Sequence, residues 1–110
     1  DLWRAVRRYA APGARVFVMD LLRPESPAAA CEMVARYAAD EPAVLRHDFH
    51  RSLLAAYRVD EVRAQLARVR LSGLAIEVVS DRHWIVHGAA PPAAGRDAAA
   101  ARCARGREVE

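Results

Sequence analysis

Lysine, asparagine and threonine are absent from these 110 residues, so all 17 basic side chains are arginine. A GC-rich coding bias produces that pattern without selection for charge. Against 14 acidic residues the net charge is +3, of which residues 1–88 carry +2 and residues 89–110 carry +1. So thin and evenly spread an excess is a weak argument for nucleic acid as the partner. Cysteine is scarce: Cys31 and Cys103 have neither metal-ligand spacing nor a disulfide framework, which fits a reducing cytoplasm and gives no metal site. No apolar run approaches the roughly 18 residues of a membrane span, and no signal-peptide pattern is visible, so no membrane partner is expected. With five glycines, the chain contains no Gly-x-Gly-x-x-Gly loop.

What is present begins with Gly13 to Pro24. Residues 15–21 are nearly all apolar and β-rich, the pattern of a strand buried on both faces, as in parallel sheets. The segment delivers Asp20 and then Arg23 at its carboxyl end, where ligands sit in open α/β sheets. Before it, Leu2, Trp3, Val6 and Ala10 recur at helical spacing, and Pro12-Gly13 stops that helix. After it, Ser26 as N-cap and Pro27 at the first helical position open a helix whose inward stripe is Cys31, Val34, Ala35 and Ala38.

A helix over about 43–57 places Leu45, Phe49, Ser52, Leu53 and Ala56 on one face, with His47, His50 and Arg51 opposite. Another, over 60–70, aligns Val62, Leu66 and Val69. Leu74 to Val79 and Trp84 to His87 read as strands close enough for a hairpin turning at Asp81-Arg82. Residues 89–110, rich in Ala, Pro and Arg, have too little large apolar surface to offset ordering entropy and read as a disordered tail, leaving residues 1–88 as the folded part.

Four segments together, Val-Phe-Val-Met-Asp-Leu-Leu-Arg-Pro (16–24), Asp-Phe-His-Arg-Ser-Leu-Leu-Ala-Ala-Tyr (48–57), Asp-Glu-Val-Arg-Ala-Gln-Leu (60–66) and Ser-Asp-Arg-His (80–83), resemble a bacterial family of class I S-adenosylmethionine-dependent methyltransferases. The resemblance runs from about residue 2 to residue 88. It implies an α/β fold: the carboxyl-terminal half of a Rossmann-like methyltransferase domain, with one buried strand, three to four helices and an antiparallel β-hairpin at the sheet edge. Residues 15–21 then correspond to a central fifth strand, and residues 74–87 to the antiparallel sixth and seventh. The cofactor S-adenosylmethionine is bound mainly by a preceding half, and this piece alone is expected to be inactive.

Methyl transfer needs an acceptor lone pair held in line with the S–CH3 bond, and a base for the acceptor proton. Asp20, Asp48 and His83 are the candidate catalytic groups. Arg23, Phe49, Ser52, Tyr57, Asp81 and Arg82 are the candidate substrate-binding groups. The three clusters, around positions 20, 50 and 81, are expected to converge on one hollow. For Asp20 an ion pair with Arg23 is the simpler alternative; for Asp81 and Arg82 it is a solvated turn pair. The acceptor is expected to be a small molecule. An RNA (tRNA) methyltransferase and a non-catalytic binding or dimerisation module are the alternatives. The apolar strand 15–21 would also leave an unpaired edge, so the isolated chain is expected to aggregate.

Overall fold

A computed structural model describes residues 1–92 as four helices and one three-stranded antiparallel sheet. Helix α1 (Leu2–Tyr9) starts where the Asp1 carboxylate accepts the Trp3 amide at 2.9 Å. It ends ahead of Gly13, whose φ of 80° lets the chain turn into strand β1 (Arg15–Leu21). Helix α2 (Pro27–Tyr37) opens as its residues dictate, with Ser26 Oγ accepting the Ala29 amide at 3.0 Å and Pro27 in the first turn. Helix α3 (Ala43–Ala55) follows Pro42, and α4 (Val59–Arg68) is capped by Glu61, whose carboxylate accepts the Arg58 amide at 2.9 Å. Strands β2 (Ala75–Ser80) and β3 (His83–Ala89) form the expected hairpin.

The hairpin turns through Asp81-Arg82 without the positive φ angles of a primed turn. A register shift between Val78 and Ser80 accommodates it: Val78 faces Trp84 and Ser80 faces His83, leaving Val79 as the extra residue.

The strand order is β1-β3-β2. β1 therefore lies at an edge of the described sheet rather than at its centre, because the last strand inserts between the other two. Both β1 and β2 run antiparallel to β3, hence parallel to each other, and residues 22–74 form the helical connection between them.

One face of this sheet carries the core. Val16, Trp84 and Val86 pack with Trp3 of α1, Val62 and Leu66 of α4, and Leu71, Leu74 and Ala90. Period-two alternation sends Phe17 and Met19 to the other face, where they are 64% and 52% exposed. The expectation of a strand buried on both faces is thus corrected: among the described residues only one face of β1 has helices to cover it. The packed body also extends beyond residue 88, since β3 runs to Ala89 and Ala90 is buried in the core. The rest of the expected disordered tail, residues 93–110 with Cys103, lies outside the described residues.

Helices α2 and α3 pack on one another, burying Ala30, Ala38, Leu53 and Ala56 apart from the main cluster. Their facing differs from the sequence reading. In α2, Cys31 and Ala35 are exposed while Ala30 is fully buried. In α3, Ser52 and Leu45 are exposed, Leu53 is fully buried and His50 is half-buried, with Nε2 at 3.5 Å from Cys31 Sγ. Of the expected stripes, Ala38 in α2 and Leu53 and Ala56 in α3 are buried.

Candidate functional site

At the carboxyl end of β1 a hollow of about 430 Å³ is lined by Asp20, Tyr57, Trp3, Trp84, Gln65 and Arg68, with Asp1 and Leu2 at its margin. β1 positions Asp20, which stands opposite Trp84 on the helix-facing side of the sheet. One of its carboxylate oxygens accepts the Leu21 amide at 2.8 Å, and the group is exposed. A parallel bridge between Leu22 and Tyr57 brings the end of α3 beside the exit of β1. Trp3 is fixed by its indole N–H donating to Gln65 Oε1 at 2.9 Å, and its ring lies 6.3 Å from that of Trp84 at a 37° tilt. Trp84 is 2% exposed, and its indole N–H is buried without a hydrogen-bond partner among the described residues. A carboxylate with room for a second partner, beside aromatic rings, can accept a proton from a hydroxyl or amine of a flat ligand.

Arg23 does not line this hollow. Its Nε donates to the Ala56 carbonyl at 2.9 Å and its Nη2 pairs with Glu61, so it staples the exit of β1 to the α3–α4 junction. The Asp20–Arg23 ion pair is therefore not formed. The Glu61 carboxyl lies below the ordinary carboxylate range, chiefly because it accepts the Arg58 amide and further because of Arg23. Arg23 borders a neighbouring hollow with Ser26, Leu54, Arg58 and Asp60. There Asp60 is likewise lowered, by its hydrogen bond from Arg58.

The Ser80–His83 turn forms a third group. Tyr37 Oη donates to Asp81 Oδ2 at 2.6 Å, Arg82 pairs with Asp81 at 3.1 Å, and the Arg82 guanidinium carbon lies 3.7 Å from the Tyr37 ring centroid. Those donors hold the Asp81 carboxyl below its usual value, the Tyr37 hydroxyl foremost. Asp81 and Arg82 are thus more than a solvated turn pair, because α2 closes over them. His83 Nδ1 lies 3.0 Å from Ser80 Oγ, which also accepts the Arg82 amide at 3.3 Å. His83 stands opposite Leu21, one position along from the Asp20–Trp84 pair, so it projects from the other face of the sheet.

The expected convergence is accordingly corrected. Asp20 and Tyr57 share a hollow; Arg23 borders its neighbour; Asp81 and Arg82 sit under Tyr37; His83 is on the opposite sheet face. On α3, Asp48 and Ser52 are exposed and Phe49 is half-buried, and none of the three borders the Asp20 hollow. The physical reason is the facing of α3, which buries Leu53 and Ala56 of the expected stripe and leaves Ser52 outside.

Gln65, Arg68 and Tyr37 were not singled out from the sequence. Gln65 has a sequence signal, since it lies beside Leu66 and so flanks the apolar stripe of α4. Tyr37 had none, because its partner is 44 residues away. Among the described residues no three His, Cys, Asp or Glu side chains cluster as a metal site, and no helix is long and apolar enough to cross a membrane. No family model, curated protein or solved structure matches the chain.

Proposed function

We propose that this chain is the acceptor-side half of a class I S-adenosylmethionine-dependent methyltransferase domain working in the cytoplasm on a small-molecule acceptor. The observation that carries the reading is the topology. Two strands of parallel direction, β1 and β2, are joined through three helices, and such crossovers are the building unit of doubly wound sheets. The antiparallel β2–β3 hairpin at one edge agrees with the two closing strands that the resemblance implies, and the outer edge of β1 is open for further strands.

The residues present do not fit the cofactor by themselves. The chain has no glycine loop for close backbone approach. Cofactor binding therefore belongs to a preceding half in this reading. The chain's own contribution is the hollow at the end of β1. There Asp20 takes up the acceptor proton through the carboxylate oxygen not used by Leu21, and Tyr57 with the Trp3–Trp84 pair lines the hollow beside it.

The upstream coding sequence and the activity of its product test the reading. A glycine loop within one domain length of Asp1, with label transferred from methyl-labelled S-adenosylmethionine to a small acceptor, is the expected result. An upstream sequence without that loop overturns it.

A second reading, a dimerisation module, is favoured by one observation: Phe17 and Met19 stand exposed beside a strand edge that is unpaired among the described residues. A chain that remains monomeric at high concentration argues against it.

A further inference from the structure

Helix α1 carries Arg7 and Arg8 three and four residues after Arg4, which places each of them about 5–6 Å from Arg4 on the helix surface. All three line a groove of about 520 Å³ formed with Tyr9, the Ala10–Pro12 turn and the Ala90–Pro92 segment. Among the described residues no carboxylate borders that groove and none of the three arginines has an acidic partner. Arg23, Arg36, Arg58 and Arg82 are each paired with a carboxylate, and the other described arginines are not; what distinguishes Arg4, Arg7 and Arg8 is that they line one groove together. Tyr9 is 76% exposed at the rim, with the Arg8 guanidinium carbon 5.4 Å from its ring centroid. A groove with three uncompensated guanidinium groups and no opposing acid attracts a polyanion, and an exposed aromatic ring at its lip offers a stacking surface. Those two features together are how single-stranded nucleic acid is held without sequence readout: the arginines follow the phosphates and a base stacks on the ring.

We propose that the α1 groove, through Arg4, Arg7, Arg8 and Tyr9, binds a single-stranded nucleic acid by its phosphodiester backbone and one stacked base. The Pro12 end of the groove lies at the amino end of β1 and Asp20 near its carboxyl end, roughly 20 Å away along the strand, while along α1 the two linings meet at Trp3 and Arg4. The inference uses neither Asp20 nor the methyl-transfer reading. The net charge of +3 had argued only weakly for such a partner; what changes the balance is local placement, which gathers three unpaired cations at one groove.

The test is fluorescence anisotropy of labelled oligouridylate and oligothymidylate with the full 110-residue chain across a salt series. Three phosphate contacts on a single strand give a log–log salt slope of about −2. Arg7→Ala with Arg8→Ala flattens that slope by about 1.4. Tyr9→Ala weakens binding roughly five- to hundredfold at unchanged slope. Chemical-shift changes in the unsubstituted protein are expected to be confined to α1, the Pro12 turn and the Ala90 region, a readout independent of variant folding. A preference between the two strands identifies the source as RNA or DNA, and either one, bound in this manner, supports the proposal. Inorganic polyphosphate bound as tightly as oligouridylate overturns it, because no base is then being stacked. Equal loss on replacing Arg102, Arg105 and Arg107 instead, with Arg7 and Arg8 intact, overturns it as well.

Discussion

The Tyr37 hydroxyl donates to Asp81 Oδ2 at 2.6 Å, tying the last residue of α2 to the turn of the β2–β3 hairpin. Arg36 reaches the same oxygen at 3.4 Å, and Arg82 stacks on the Tyr37 ring while pairing with the other oxygen. Since α2 and α3 bury their apolar residues mainly against each other, this polar junction and the Arg23 staple at the opposite end are what hold the pair to the sheet.

That junction makes a pH-dependent contribution. The Asp81 carboxyl is depressed in the folded protein, so its stabilising effect is fully present above the unfolded value of about 3.9 and is lost as pH falls through the lower folded value. Tyr37→Phe removes the largest cause and moves the Asp81 titration midpoint upward, as followed by carboxyl chemical shift. It also speeds amide exchange in α2 relative to α4. An unchanged midpoint in the variant would show that the hydroxyl does not reach Asp81 in solution.

Leu66 is 1% exposed in the main core, whereas Leu54 on α3 is 42% exposed. Leu66→Ala is expected to cost about 2–5 kcal/mol in urea unfolding, through lost transfer energy and the cavity left behind. Leu54→Ala should stay within about 0.5 kcal/mol. Equal costs at the two sites would contradict the described core.

Gly88 has φ 145° within β3, and a Cβ there would meet Leu74 Cδ2 at 3.1 Å. Gly88→Ala therefore destabilises by about 1–3 kcal/mol. Gly73→Ala, with open space around it and no left-handed backbone, is expected to be neutral or slightly stabilising. Thermal melts of the two variants separate the outcomes.

Under the methyl-transfer reading, Asp20→Asn in the full-length protein lowers kcat by about 10²- to 10⁴-fold, as for loss of a general base. Asp48→Asn, on the exposed side of α3, leaves kcat within about twofold, because a surface group that touches no ligand has no such part in the reaction. The reverse order would move the site from the end of β1 to α3.

The isolated chain is expected to self-associate through β1, whose outer edge is unpaired and whose neighbours Phe17 and Met19 are uncovered. Replacing both by lysine should shift the sedimentation profile toward monomer without lowering helicity by circular dichroism. Association that survives the double substitution would place the contact elsewhere.

Much of the local structure was legible because its causes are local. Ser26-Pro27 opens α2, Pro12-Gly13 ends the first helical segment, and the β1 span is recognisable from its unbroken apolar run. The hairpin was legible from two β segments in close succession, although its turn residues are not the favoured ones; the bulge at Val79 supplies what they do not. The facing of α3 was legible in part. Leu53 and Ala56 of the expected stripe are buried, whereas Ser52 and Leu45 at its margins are exposed, since burial falls on a narrower strip than the apolar pattern spans. The shared hollow failed for the same reason, together with the strict alternation that puts Asp20 and His83 on opposite sides of the sheet.

By itself, then, the order of residues determined where helices and strands form, since capping, turn propensity and hydrophobic period act over a few neighbouring positions. It also determined that the end of β1 presents a carboxylate. Only the tertiary structure decided that β3 inserts beside β1, that Arg23 serves Glu61 rather than Asp20, and that Tyr37 meets Asp81 across 44 residues. Those outcomes depend on which distant surfaces exclude water from one another, and no local pattern encodes the identity of the opposing surface.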